Sequence, residues 1–162
     1  MWLSLRSVRD AAIWALIAAA LMVLYEFNGF ISVSRVWALI LPPGPDTLAA
    51  SFSYCAGGAR RNCVVDGDTF WFRGEKIRVA DIDAPELSPP RCPHEAQLGE
   101  AAKHRLLRLL NDGPFSLTVG FRDEDQYGRK LRTIYRNGKS LGDVLVSEGL
   151  ARPWTGSRRS WC

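Results

Sequence analysis

Val64–Trp71 reads VVDGDTFW, and Ile77–Glu86 reads IRVADIDAPE. Short runs of Val, Ile, Thr, Phe and Trp separated by Gly and Asp predict strands at Cys63–Val65, Thr69–Arg73 and Lys76–Ala80. Asp66-Gly67-Asp68 and Gly74-Glu75 are the turns between them. This arrangement brings Asp68 close to the end of the third strand, where Asp83 opens a loop.

Downstream, Pro85, Pro89, Pro90 and Pro93 exclude helix and strand from the next stretch. A helix over His94–Leu110 follows, with Leu98, Ala102, Leu106 and Leu109 on one face, and Asp112-Gly113-Pro114 ends it. Strands are predicted at Phe115–Phe121 and Lys130–Arg136, and Asn137-Gly138 is a tight-turn pair. Ser140 with Asp143 opens a short helix to Glu148, stopped by Gly149. Five short strands with a helix between the third and fourth define an α+β class: an OB-like five-stranded β-barrel with two packed helices.

Arg78, Asp81, Asp83 and Glu86 fall within nine positions, with Asp66 and Asp68 one hairpin upstream. Crowded acids beside an arginine are costly to fold unless each is hydrated or paired. A divalent cation among the acids and a phosphate ester on the arginine complete the pattern. The cluster contains no His, and oxygen-only donors suit calcium or magnesium. In Asp123–Lys130, DEDQYGRK, Arg129 follows a Tyr127-Gly128 turn and supplies a second guanidinium for phosphate oxygens. Glu86, the carboxylate most easily spared from ligation, is placed to orient or deprotonate a water.

The segments VVDGDTFW, KIRVADIDAPE, DQYGRKLRTIY and LGDVLVSEGLAR, in this order over roughly Asn62 to Trp154, resemble the staphylococcal-type thermonuclease family. The resemblance implies calcium-dependent hydrolysis of DNA and RNA, with metal-assisted in-line attack by water. By position, Asp68 and Asp83 resemble the calcium carboxylates, and Ala84 stands where a Thr backbone carbonyl usually ligates. Asp66 resembles the acid behind these ligands. Glu86 matches the general base, Arg78 and Arg129 the two phosphate-binding arginines, and Tyr127 a phosphate-contacting tyrosine. Two departures stand out: Gln126 replaces a lysine that contacts a terminal phosphate in some members, and the tail TGSRRSWC stands where the best-known members have a third helix. The alternative function is a non-catalytic OB-fold nucleic-acid-binding module tethered to the membrane.

The N-terminus has a different character. Ala11–Tyr25 is an unbroken apolar run, AAIWALIAAALMVLY, preceded by Arg6 and Arg9. Fifteen helical residues span roughly 22 Å, and Val8 and Phe27 bring the length nearer a membrane span. The arginine placement predicts a transmembrane signal anchor with the following domain exported, periplasmic or extracellular. A cleaved signal peptide is the competing reading, although no small-x-small site closely follows the run. The organisation expected is therefore an anchor over 1–29, a juxtamembrane linker over 30–50 with the stiff Pro42-Pro43-Gly44-Pro45, and a catalytic domain over 51–162. Ser51–Asn62 reads as a loop held by its cysteines.

Cys55, Cys63, Cys92 and Cys162 all follow the apolar run. Export implies oxidising conditions and two disulfides, for which four cysteines allow three connectivities. Cys55–Cys63, closing a short loop, is favoured, leaving Cys92–Cys162. No C-x-x-C pair favours the zinc alternative built on Cys92 and His94. The formal net charge of +4 arises after residue 50, which suits a polyanionic partner such as DNA or RNA.

Overall fold

The hairpin is closed by two residues in left-handed conformation, Arg73 (φ 53°) and Gly74 (φ 89°). Positive φ at both positions is what a tight two-residue turn requires, so the turn sits one residue earlier than the sequence reading placed it. The computed structural model describes residues 44–58 and 60–162. In chain order the elements are β1 (Ser53–Tyr54), β2 (Cys63–Val64), β3 (Thr69–Phe72), β4 (Glu75–Val79), β5 (Ile82–Asp83), α1 (Pro93–Asn111), β6 (Ser116–Glu124), β7 (Lys130–Arg136), β8 (Lys139–Ser140), α2 (Leu141–Ser147) and β9 (Arg152–Pro153).

One sheet runs β1-β2-β3-β4-β7-β6, with β8 added to β7, and β5 and β9 form a separate pair. The five expected strands are present as β2, β3, β4, β6 and β7. The other four are two residues each, too short for any alternation to reveal. The mixed sheet with two helices is consistent with the OB-like α+β class. The expected N-terminal anchor lies outside the described residues. Among the described residues, no helix is long and apolar enough to cross a membrane.

Two expectations need correction. Ser51–Asn62 is more than a loop: Phe52 is buried against Phe70, Phe72 and Phe115, with ring centroids 5.9–6.1 Å away, and β1 pairs in parallel with β2. Strand β6 continues through Arg122–Glu124, beyond Phe121, where the sequence reading ended it. The acids are neutralised from the neighbouring strand: Lys130 pairs with Asp123 and Glu124, and Arg132 with Asp123. At the surface, Arg105 of α1 donates three hydrogen bonds of 2.7–3.0 Å to Glu148 at the end of α2.

Contacts also extend upstream of Ser51. Leu48 bridges to Phe115, and Asp46 accepts hydrogen bonds from the Ser116 hydroxyl (3.0 Å) and the Asn137 amide (2.6 Å). The core joins Phe70, Ile77, Val79 and Ile134 of the sheet to Leu106, Leu109 and Leu110 of α1 and Leu145 of α2. Ser140 caps α2, accepting from the amides of Gly142 and Asp143.

Two small residues set how closely α1 approaches the site. A Cβ on Gly67 would lie 2.6 Å from that of Ala102 on α1 and 2.9 Å from that of Ala84. A Cβ on Gly99 would lie 2.8 Å from Leu87 Cδ2. Glycine at both points lets the helix seat directly on the Asp66–Asp68 turn and on the loop after Asp83.

Candidate active site

Thr69 lies opposite Arg78 in the β3–β4 register, and the Val79 amide donates to the Asp68 carbonyl at 2.8 Å. The hairpin therefore sets Asp68 beside Arg78 as the sequence predicted. Both are buried, and Arg78 Nη2 lies 3.4 Å from Asp68 Oδ2. The Arg78 guanidinium also donates to the Val79 and Ile82 carbonyls, both at 3.2 Å. These bonds hold its plane, and the Trp154 ring lies 4.7 Å from its centre. Trp154 is brought there by the β5–β9 pair, its amide donating to the Asp81 carbonyl at 2.9 Å.

Strand β7 runs parallel to β4, with Ile77 opposite Lys130, which places Arg129 on the same side of the site. Asp125 organises the intervening turn, its Oδ1 accepting from the amides of Tyr127 (2.9 Å) and Arg129 (3.0 Å). Arg129 Nε donates to Asp125 Oδ2 at 2.6 Å. Its Nη1 reaches Thr69 Oγ1 at 3.4 Å, and that hydroxyl donates to Asp68 Oδ1 at 2.8 Å. Tyr127 is exposed, with its ring 5.5 Å from the Arg129 guanidinium. Arg78, Arg122, Arg129 and Arg158, with Tyr127 and Trp154, line a cleft of about 460 Å³. Its chemistry is cationic and aromatic, as a phosphodiester with attached bases requires.

Asp68 and Asp83 adjoin this cleft. Asp68 Oδ2 and Asp83 Oδ1 are buried and accept no hydrogen bond. Each faces the Arg158 guanidinium, at 3.8 and 3.7 Å respectively, and Glu86 forms a close ion pair with the same group. Burial, opposed by Arg158, raises the Asp83 carboxyl above the usual carboxylate range. Asp66 accepts from the Asp68 amide at 3.1 Å; burial first, then the Asp68 charge, push its carboxyl up to about 7. Asp66 thus lies beside Asp68, joined to it through the Asp68 amide.

Two buried carboxylate oxygens that accept no hydrogen bond and share the Arg158 guanidinium fit a hard divalent ion taking oxygen donors. Among the described residues, no three His, Cys, Asp or Glu side chains are grouped to hold an ion. Asp68 and Asp83 would therefore need a backbone oxygen and water to complete a coordination shell. Ala84, buried beside Asp83, is the adjacent backbone candidate.

Asp81, counted with the acidic cluster in the sequence, does not join it. Its Oδ2 accepts from the Ser140 hydroxyl at 2.6 Å, tying β5 to the start of α2. Glu95 is a site residue the sequence reading missed. It is buried in the first turn of α1 and accepts from the amides of Arg91 (2.6 Å) and Glu86 (3.4 Å), which fixes the loop that carries Glu86. An acid three residues into a Pro-led helix was the available signal.

Arg158 was missed as well. Both disulfides have the favoured connectivity, Cys55–Cys63 and Cys92–Cys162, and among the described residues no cysteine is free, which removes the zinc alternative. The second bridge ties the tail to the start of α1 and returns Arg158 to the acids. His104 Nδ1 of α1 is hydrogen-bonded to the Tyr54 hydroxyl.

Residues 76–160 match the family described as staphylococcal nuclease homologue. Endonuclease YncB of Bacillus subtilis (strain 168) is 38% identical over 93 residues, covering 54% of this chain and 44% of its own. The SPbeta prophage-derived endonuclease YokF of the same strain is 39% identical over 93 residues, 54% of this chain and 31% of its own. Staphylococcal-like nuclease CAN1 of Arabidopsis thaliana is 34% identical over 76 residues, 47% of this chain and 21% of its own. The matched region thus spans less than half the length of these relatives. Asp66 and Asp68 lie upstream of the family match, so their place in the site rests on the hairpin register.

Proposed function

Since the chain belongs to the staphylococcal nuclease homologue family, we propose that it is a phosphodiesterase that hydrolyses DNA or RNA with calcium held by Asp68, Asp83 and the Ala84 carbonyl. The observation that carries this reading is the adjoining of two environments: a cleft lined by arginines and aromatics, and a buried pair of carboxylates facing one cation. The ion would supply Lewis-acid polarisation of a phosphoryl oxygen.

The protein's own groups account for the rest. Arg78 and Arg129 bind the phosphodiester oxygens and offset the charge that builds as water adds to phosphorus and the ester P–O bond breaks. Glu86 accepts the proton of the attacking water. Tyr127, at the exposed lip of the cleft, contacts the substrate phosphate. Asp66 and Thr69 keep Asp68 oriented.

The purified full chain should cleave single-stranded DNA with calcium present and stop when calcium is chelated. Full activity in chelator, with no bound metal by elemental analysis, would remove the calcium site from the proposal. Nucleic-acid binding without cleavage, calcium present, would leave the binding-module alternative standing.

The N-terminal 29 residues are proposed as an anchor that leaves this domain exported, supported by Arg6 and Arg9 before the apolar run. With the outer barrier of intact cells permeabilised, added protease should digest the domain and spare the N-terminus. A protected domain would refute export, and four free thiols in protein from the envelope would refute the two disulfides and weaken the case for export.

A further inference from the structure

Residues 155–160 are a strap fixed at both ends. Upstream, β9 pairs with β5, and the Trp154 amide is bonded to the Asp81 carbonyl. Downstream, Cys162 is bonded to Cys92 at the start of α1. Trp161 is buried, with the Arg152 guanidinium 3.7 Å from its ring centre, and Arg152 also donates to the Ser160 carbonyl at 3.0 Å. The backbone that carries Arg158 is therefore held beside the acids, and movement is left to its side chain.

Its guanidinium touches three carboxylates at once. Nη2 faces Asp68 Oδ2, Nε faces Asp83 Oδ1, and Nη1 is paired with Glu86 Oε1. The first two oxygens are buried and take no hydrogen bond; Arg78 Nη2 lies 3.4 Å from Asp68 Oδ2, and Arg158 is the cation that bridges Asp68 and Asp83. Without Arg158, Arg78 alone would offset two buried acids that repel each other and have lost their hydration. Arg158 also lines the neighbouring arginine-rich cleft, so its side chain has a second place to go.

Resting on the proposed reading of Asp68 and Asp83 as cation ligands, we infer that Arg158 is an internal counter-ion of this site: it holds the carboxylates before the divalent ion arrives and must give way to it. The two cations compete for the same oxygens. The strap makes the competitor intramolecular, so its effective concentration is high and constant. The apparent affinity for the ion is lowered by the fraction of molecules in which Arg158 occupies the acids. Once displaced, Arg158 faces the cleft alongside Arg78, Arg122 and Arg129, where a phosphodiester would take it up. Binding of the ion and binding of an anion in the cleft then favour each other.

The test is titration of calcium alone into the metal-free full chain by isothermal calorimetry, with no nucleic acid. Arg158→Ala should bind calcium about tenfold more tightly than the unmodified chain, the change expected when a largely occupied competing state is removed. Arg158→Lys, which keeps a cation of lower reach and no fork, should fall between them. Arg108→Ala removes an equal charge from the exposed face of α1, away from the acids, and should leave the affinity unchanged. In thermal melts, Arg158→Ala should be less stable without calcium and should gain more from calcium than the unmodified chain does.

Equal affinity in Arg158→Ala and the unmodified chain, with Asp83→Asn abolishing binding in both, would overturn the competition while leaving the cation site in place. Equal tightening by Arg108→Ala would overturn it too, showing only the loss of a distant charge. Absence of calcium binding in both the unmodified chain and Arg158→Ala would refute the cation site itself, and the counter-ion role with it. Binding seen only in Arg158→Ala would support the competition in its strongest form.

Discussion

Glu86→Gln should lower turnover on single-stranded DNA by about a hundredfold or more, the scale of a lost general base or charge-stabilising group. The amide is nearly the size of the carboxylate and cannot take a proton from water. Glu86 is partly exposed at the edge of the buried acids, and Asp68 and Asp83 are the buried pair. Calcium affinity should therefore fall much less than turnover does. The loop itself should hold, because it is fixed by Glu95 accepting from the Glu86 amide, which the substitution leaves intact. Steady-state kinetics and calcium titration on the same preparation decide the matter. Loss of calcium binding in Glu86→Gln, with Asp83→Asn still binding, would exchange the two roles.

The same division explains what could be read from the sequence. Asp66, Asp68, Arg78 and Asp83 were legible because one hairpin and its following loop contain them all. Strand period and turn chemistry fix which residues meet when the pairing is local. Arg129 needed the parallel β4–β7 pairing, which no local signal encodes; the turn motif and the family resemblance supplied it instead. Asp81 was misplaced for the opposite reason. It lies between site residues in sequence, yet Ser140 in a distant segment draws its carboxylate away.

Arg158 was the least legible. Its place among the acids depends on a bridge between cysteines 70 positions apart and on the burial of Trp161. The favoured cysteine pairing already implied that the tail returns to the loop after Glu86, but arginine side-chain reach cannot be read from spacing. The strands β1, β5, β8 and β9 escaped for a simpler reason. Each is two residues long and exists only because a longer element lies beside it. Phe52 shows the same effect: a single apolar residue in a Ser- and Gly-rich stretch gives no period, yet it completes a cluster of four phenylalanines.

Arg78→Lys should leave the protein folded and lower turnover by about a hundred- to a thousandfold, the range for removing one preorganised charge donor at the transition state. The argument is geometric. The positive charge beside Asp68 is retained, so no buried carboxylate is left bare, and the melting curve should move only modestly. What disappears is the fork. One guanidinium now serves the Val79 carbonyl, the Ile82 carbonyl and Asp68 while remaining a wall of the cleft. A single ammonium on a flexible stem cannot span these positions and also meet two phosphate oxygens. Its flat face toward Trp154 is lost with it. Binding of a non-cleavable single-stranded oligonucleotide should weaken far less than turnover, because Arg122, Arg129 and Arg158 still line the cleft. Turnover within a few-fold of the unmodified protein would place the transition-state clamp on those other arginines and reduce Arg78 to a structural partner of Asp68.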